Sequence, residues 1–460
     1  MLTLSINWSQ VGLQAGYLIF SLSILVILHE FGHYITAKWF KCRVEKFYLF
    51  FDPWFSIFKK KVGETEYGIG WLPLGGYVKI SGMVDESMDK EQMKQPPKPW
   101  EFRSKPAWQR LIIMLAGITM NVLLAFFIYA MILYKWGDSR IPVSSLKYGI
   151  AFNDSLFYNL GFKDGDKILA VDDKPVDDYS DIMKKILLVN KSVTIERDGH
   201  QQDLNMPVDV LGKLVEKKHN SDDPLINPRL PALVMNVPDT SVAHQSGLRK
   251  GDKLLAIDSI ETTYLDQFKK ILLTKKGEKV LLKVERAGEQ VGLIVPVRND
   301  GSIGFNLHVS LDQLDSAGII SFEKKTYGLL ESFPAGVKKT GAQLQFYIDQ
   351  FKKILSPKTG AYKGLGGFKS MASIFPKSGW DWESFWNITA FFSIILAFMN
   401  LLPIPALDGG HVLFTLVEMI SGRKPSDKFL EYAQIAGMVL LLGLMLFANG
   451  NDWFGYGRSK

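Results

Sequence analysis

The apolar positions of this chain are gathered at its two ends. Residues Val11–Leu28 carry no charge, and Leu111–Tyr134 is broken mainly by Gly117, Thr119 and Asn121. Two further apolar runs cover about Phe385–Leu402 and Ala433–Phe447. Each approaches the roughly 20 residues a helix needs to cross a bilayer, so the pattern predicts four transmembrane helices. Trp8, Trp108, Trp136, Trp386 and Trp453 stand near their ends, where interfacial aromatics anchor spans. The first run lacks a basic leader and a small-residue cleavage site, so it reads as a span and not as a cleaved signal.

Between the second and third spans the chain turns polar and is punctuated by glycine. There Gly161-Phe-Lys-Asp-Gly-Asp-Lys-Ile-Leu-Ala-Val-Asp172 is answered by Gly247-Leu-Arg-Lys-Gly-Asp-Lys-Leu-Leu-Ala-Ile-Asp258. Twelve residues of matched chemistry predict two copies of one domain, with Gly165 and Gly251 permitting a tight turn into an alternating strand. From Thr326 to Leu355 apolar residues recur at helical spacing beside Lys338, Lys339, Lys352 and Lys353. This predicts an amphipathic pair of helices, on the outer membrane surface or packed on the repeats.

Charge sets the expected topology. No Lys or Arg precedes Lys38, whereas Lys38, Lys41, Arg43, Lys46 and Lys59–Lys61 follow the first span, and Arg103, Lys105 and Arg110 approach the second. The positive-inside rule then places the loop 38–106 in the cytoplasm and the N-terminus outside. The polar region 137–384 falls outside and the segment 412–430, with Arg423, Lys424 and Lys428, inside. The net charge of +7 in 460 residues is not a nucleic-acid signature, because no basic tract is interleaved with aromatics. One cysteine, Cys42, excludes a disulfide framework and a multi-cysteine metal site.

Chemistry enters at His29-Glu30-Phe31-Gly32-His33, at the end of the first span. On a helix His29 and His33 share a face one turn apart and can hold zinc, with Glu30 beside them to take a proton from water. Ionisable groups at membrane depth are costly and rarely present without a role. A catalytic zinc needs a third protein ligand. Asp408 is the best candidate, in Asn400-Leu-Leu-Pro403-Ile-Pro405-Ala-Leu-Asp408-Gly-Gly-His411, where the prolines break a helix and free the chain to turn inward. His411 and Glu418 are its rivals. In the first loop, Gly68–Ile80, which includes Gly75, Gly76, Tyr77 and Val78, reads as short strands about a Gly-Gly turn. Such strands serve either as an ordinary hairpin or as an edge offered to an extended peptide.

Taken together, the HEFGH motif, the Pro-Leu-Gly-Gly-Tyr-Val-Lys run after it, the Gly117–Asn121 G-x-x-x-N motif and the N-x-x-P-x-P-x-L-D-G-G stretch resemble the site-2 protease family. The repeat signature is similar to PDZ domains of the bacterial, circularly permuted kind, and the whole chain is similar to the bacterial regulator-of-sigma-E type. The resemblance implies a polytopic α-helical membrane protein with four transmembrane helices, a β-hairpin-rich, membrane-associated cytoplasmic loop and two tandem circularly permuted PDZ domains, 137–222 and 223–315. It implies Zn2+ held by His29, His33 and Asp408, Glu30 as catalytic carboxylate, and Asn400 and the Pro73–Ile80 hairpin on substrate, with Pro403 and Pro405 beside them. Its expected partners are the lipid bilayer and single-pass membrane proteins of the anti-sigma-factor type, pre-trimmed outside, or remnant signal peptides; PDZ domains could take peptide C-termini. Gly364-Leu-Gly-Gly-Phe368 departs from the family's N-L-S-G-P segment. Two other classes fit less well. A CAAX-type membrane protease has a glutamate-rich metal motif and no such repeat, and a peptide-binding scaffold has no need of Glu30 or of a ligand set.

Overall fold

The computed structural model describes residues 7–83, 96–216, 224–304, 311–316 and 318–455. Helix α1 (Trp8–Trp39) is capped by Asn7, whose side chain accepts from the Gln10 N–H. Strands β1 (Val44–Val62) and β2 (Thr65–Ile80) follow, then α2 (Ala107–Lys135). After the polar region come α3 (Leu329–Leu355), α4 (Trp382–Leu401), α5 (Asp408–Ser421) and α6 (Asp427–Phe454). Helices α1, α2 and α4 and residues Lys428–Phe454 of α6 are long and apolar enough to cross a membrane, as the hydropathy pattern predicts.

Helix α2 is the hub, since α1, α3, α4 and α5 all pack on it. Small residues allow the close approaches. A Cβ on Gly32 would stand 2.5 Å from the Ala116 carbonyl oxygen, and one on Gly336 would stand 2.7 Å from the Ala130 nitrogen. Without a hydrophobic drive between helices in lipid, such packing and a few polar contacts supply the association. Thr389 Oγ1 donates to Ser21 Oγ (3.0 Å) and Ser393 Oγ to the Asn121 carbonyl (2.7 Å), both buried.

One expectation changes. The region Thr326–Leu355 holds one continuous helix, α3, in place of the expected pair, and it packs on α2 and α4 as well as touching the first repeat. Pro334 lies in its second turn, so the carbonyl it deprives of a partner belongs to Leu330, which is 85% exposed. Tyr347 and Phe351 meet Phe398 edge-on at 5.3 and 5.2 Å. Residues 412–430 are largely helical, because α5 begins at Asp408 and α6 at Asp427. Gly409 and Gly410 make that turn possible, as a Cβ on the first would overlap the Leu402 carbonyl and one on the second would crowd Ile404 and Pro405.

The two repeats between α2 and α3 have the same four-stranded order. Lys174–Pro175, Lys167–Val171, Ser192–Arg197 and His200–Asn205 form one sheet, and Ile260–Glu261, Lys253–Ile257, Lys279–Arg286 and Glu289–Pro296 form the other. The duplication extends to side chains. Arg197 grips Asp166 and donates to the Gly161 carbonyl, as Arg286 grips Asp252 and donates to Gly247. The first core also takes in Ile226, Leu314 and Ile320 from later chain. The expected junction between the repeats, at 222–223, lies outside the described residues. Lys270 bonded to Asp164 (2.5 Å) and Arg229 stacked on Tyr264 (3.8 Å) join the two units.

Candidate metal centre

His29 and His33 leave the same face of α1, with Nε2 atoms 3.3 Å apart and rings nearly perpendicular. The α4–α5 connection brings Asp408 to them, its Oδ2 lying 3.2 Å from His29 Nε2 and 3.3 Å from His33 Nε2. These three edges describe one face of a tetrahedron. Four ligands about 2.0 Å from a zinc ion stand about 3.3 Å from one another. Asp408 Oδ2 is buried and has no aligned hydrogen-bond donor among the described residues, although two imidazoles touch it. A buried carboxylate oxygen without a donor calls for a cation. The donor chemistry and the spacing fit zinc.

The surrounding contacts orient the ligands. His33 Nδ1 lies 2.8 Å from the Ile113 carbonyl, an acceptor that fixes the proton on Nδ1 and leaves Nε2 for metal. His29 Nδ1 lies 3.1 Å from Nδ2 of the Asn121 carboxamide, which is wholly buried and whose Oδ1 has no partner among the described residues. With that oxygen turned to Nδ1, Asn121 performs for His29 what Ile113 performs for His33. Gly117 on the same helix clears the space, since a Cβ there would overlap His33 Nε2. The G-x-x-x-N spacing marks both residues, but sequence alone assigns neither to a histidine.

Glu30 faces a cavity of about 650 Å³ beside the three donors. One wall is the end of β2. Strands β1 and β2 are long enough to meet twice. Lys46–Leu49 pairs on one side with Gly76–Lys79 and on the other with Glu66–Ile69, which in turn meets Phe58–Lys61. Gly76–Ile80 is therefore an outer lane of the sheet, and all five of its residues line the cavity. Glu30 lies against this lane, its Cγ 3.5 Å from where a Cβ on Gly76 would stand. Tyr77 Oη donates to Asp52 Oδ1 (2.8 Å), and burial with that carboxylate pushes the phenol well above its ordinary range.

The remaining sequence candidates divide. Gly76, Tyr77 and Val78 line the cavity, whereas Gly75 is not among its lining and makes the bend beneath Phe51 at φ +151°. Asn400 Nδ2 lies 3.4 Å from His29 Nε2. Pro403 and Pro405 do not line the cavity but shape the connection, on which Ala406 takes a left-handed φ of +81° and does line it. Such a non-glycine conformation costs of order 1–3 kcal/mol and is held by its surroundings. Of the rival ligands, Glu418 is bound to Arg110 at 2.5 Å, and His411 lines the cavity outside the three-donor group.

The chain matches the model of Peptidase family M50 over residues 17–444. It is 28% identical over 458 residues to the regulator of sigma-E protease RseP of Escherichia coli, covering 95% of this chain and 97% of that protein. It is 27% identical over 462 residues to the regulator of sigma E protease of Haemophilus influenzae, with 95% and 98% covered. A family match over nearly the whole length, on a chain whose apolar helices surround a zinc-fitting donor set, leads to one conclusion. The chain belongs to peptidase family M50, the site-2 protease family, and is a zinc-dependent membrane metalloprotease.

Proposed function

We propose that the protein hydrolyses a peptide bond within a transmembrane segment of its substrate, at the cavity beside Glu30. The observation that supports this most is the three-donor triangle of His29, His33 and Asp408 opening on the outer lane Gly76–Ile80. Zinc held by those donors supplies Lewis-acid activation of water and of the scissile carbonyl. Glu30 accepts the proton of the attacking water and passes it to the leaving amide nitrogen as the C–N bond breaks. A helix conceals its carbonyls, so the substrate must open first. Pairing with Gly76–Ile80 as an added strand replaces intrahelical hydrogen bonds that nothing in lipid could replace. Asn400 is placed to hydrogen-bond the opened segment beside His29.

In this reading the inner end of α1 faces the cytoplasm of a bacterial inner membrane and the N-terminus and repeats lie outside. The repeats are PDZ domains that admit single-pass substrates already shortened there. Anti-sigma factors of the envelope stress response and remnant signal peptides have the required form.

The test is cleavage of a tagged single-span substrate in membranes, together with the zinc content of each purified protein. Glu30→Gln should abolish cleavage and retain zinc, while Asp408→Ala should lose both. Cleavage by Glu30→Gln would remove the mechanism. Asn400→Ala should slow cleavage of stable helices more than of glycine-weakened ones; equal slowing would remove its assigned role. Deleting 145–310 should permit cleavage of an untrimmed substrate, and a still-intact substrate would end the gating idea.

A further inference from the structure

The last span contributes one polar group to the cavity, and the mechanism above does not use it. Gln434 lies in the second turn of α6, is only 5% exposed and lines the cavity with Glu30 and Asp408. Its carboxamide has no hydrogen-bond partner among the described residues. The placement is enforced by Gly437, three residues on and on the same face of the helix. A Cβ at Gly437 would overlap the Pro405 carbonyl, so α6 is seated directly against the connection that carries Asp408. Polar side chains in spans usually bond a neighbouring helix. Gln434 is turned toward such neighbours and bonds none of them.

An extended peptide laid on Gly76–Ile80 has two edges. One pairs with the strand, and the other presents its N–H and C=O groups to the remaining walls. At membrane depth those groups find no water or lipid partner. Met114, Ala406 and Leu407 line the cavity as well but offer no side-chain hydrogen bond there. A glutamine offers both a donor and an acceptor, the same pair that one peptide unit exposes. We propose that Gln434 is a substrate-positioning residue, whose carboxamide bonds the backbone on the far edge of the opened substrate segment. This rests on the strand-addition reading of the site. The occupant is main chain, so the contact is indifferent to substrate side chains.

Two measurements on the full-length zinc enzyme in proteoliposomes test it. In the first, p-benzoylphenylalanine is placed at position 434, and separately at position 77, in the Glu30→Gln background with a tagged single-span substrate. Photo-adducts from both positions are expected. Adducts from 77 alone overturn the role of Gln434 and leave the site reading standing, whereas no adduct from either position ends both. In the second, Gln434→Met, similar in size but unable to bond a peptide, should raise KM roughly 3–10-fold, the worth of one hydrogen bond. Zinc content, melting temperature and kcat should stay as in wild type. An unchanged KM overturns the proposal, as does a rise accompanied by lost zinc or a lowered melting temperature.

Discussion

Carboxylates in two settings occur in this molecule, and their surroundings differ in completeness. Asp166 and Asp252 in the two repeats are each 1% exposed. Each is held by an arginine through two bonds of 2.7 Å, and each accepts a backbone N–H at 2.8 Å, from Lys163 or Arg249. Asp408 touches two imidazoles at 3.2 and 3.3 Å, yet its Oδ2 has no aligned donor among the described residues. A charge whose hydrogen bonds are complete has finished its work inside the fold. One left open beside two metal-competent nitrogens is set for a cation from solution. The hydrogen-bond census, and not burial alone, separates these structural carboxylates from the proposed metal ligand.

The sharpest way to break this contrast is to remove each carboxylate's setting in turn. Asp408→Ala should lower zinc affinity by more than about 100-fold, beyond the usual cost of losing an outer contact, and leave the melting of the two repeats unchanged. Metal analysis and calorimetry of the purified variant would read both. Arg286→Ala should act in reverse. It strands the Asp252 charge and should destabilise the second repeat by about 2–4 kcal/mol, less than a wholly buried pair because Arg286 keeps 27% of its side chain exposed. Its zinc content should match wild type. Zinc lost from Arg286→Ala would show that the two regions are one cooperative unit and end the comparison.

Sequence made one half of the site plain and concealed the other. His29, Glu30 and His33 are local, and helical periodicity alone puts the histidines on one face. The four spans were legible because lipid demands long apolar runs, and the repeat was legible because its turn demands glycine at fixed positions. Asp408 could be ranked first among candidates, but its exclusion of Glu418 depended on Arg110, 308 residues away in the chain. The outer lane at Gly76–Ile80 was hidden as well. Only the double register of β1 with β2 shows which stretch stays outermost. Helix α3 was expected as two, and it forms one because Pro334 lies too close to its start to break it.

Asn121 sharpens the comparison from the metal side. It sits 92 residues from His29 and its carboxamide meets Nδ1 of that residue, so it belongs to the same site as Asp408 through the histidine between them. Asn121→Ala should weaken zinc binding about 10–100-fold, the usual cost of losing a histidine's outer partner. Competition with a chelator of known affinity would measure it. Unaltered affinity would mean that His29 is oriented by helix packing alone.

The smallest effect expected is the acid response of the finished carboxylates. Burial alone would raise the Asp252 pKa, but the Arg286 guanidinium and the Arg249 N–H outweigh it and hold the carboxyl below its ordinary 3.8. A depressed folded-state pKa means that the unfolded chain binds its proton first as the pH falls. The stabilisation is therefore complete above about pH 5, declines below the ordinary value and is lost as pH passes the folded pKa. Melting of the two repeats should thus be flat from pH 7 to 5 and fall below about pH 4. Arg286→Ala should show a shallower fall, because its Asp252 has lost the larger part of the shift. An equally steep fall in that variant would assign the acid response to other carboxylates, such as Asp164 and Asp172, whose pKa values are also depressed by hydrogen bonds against the opposing pull of burial.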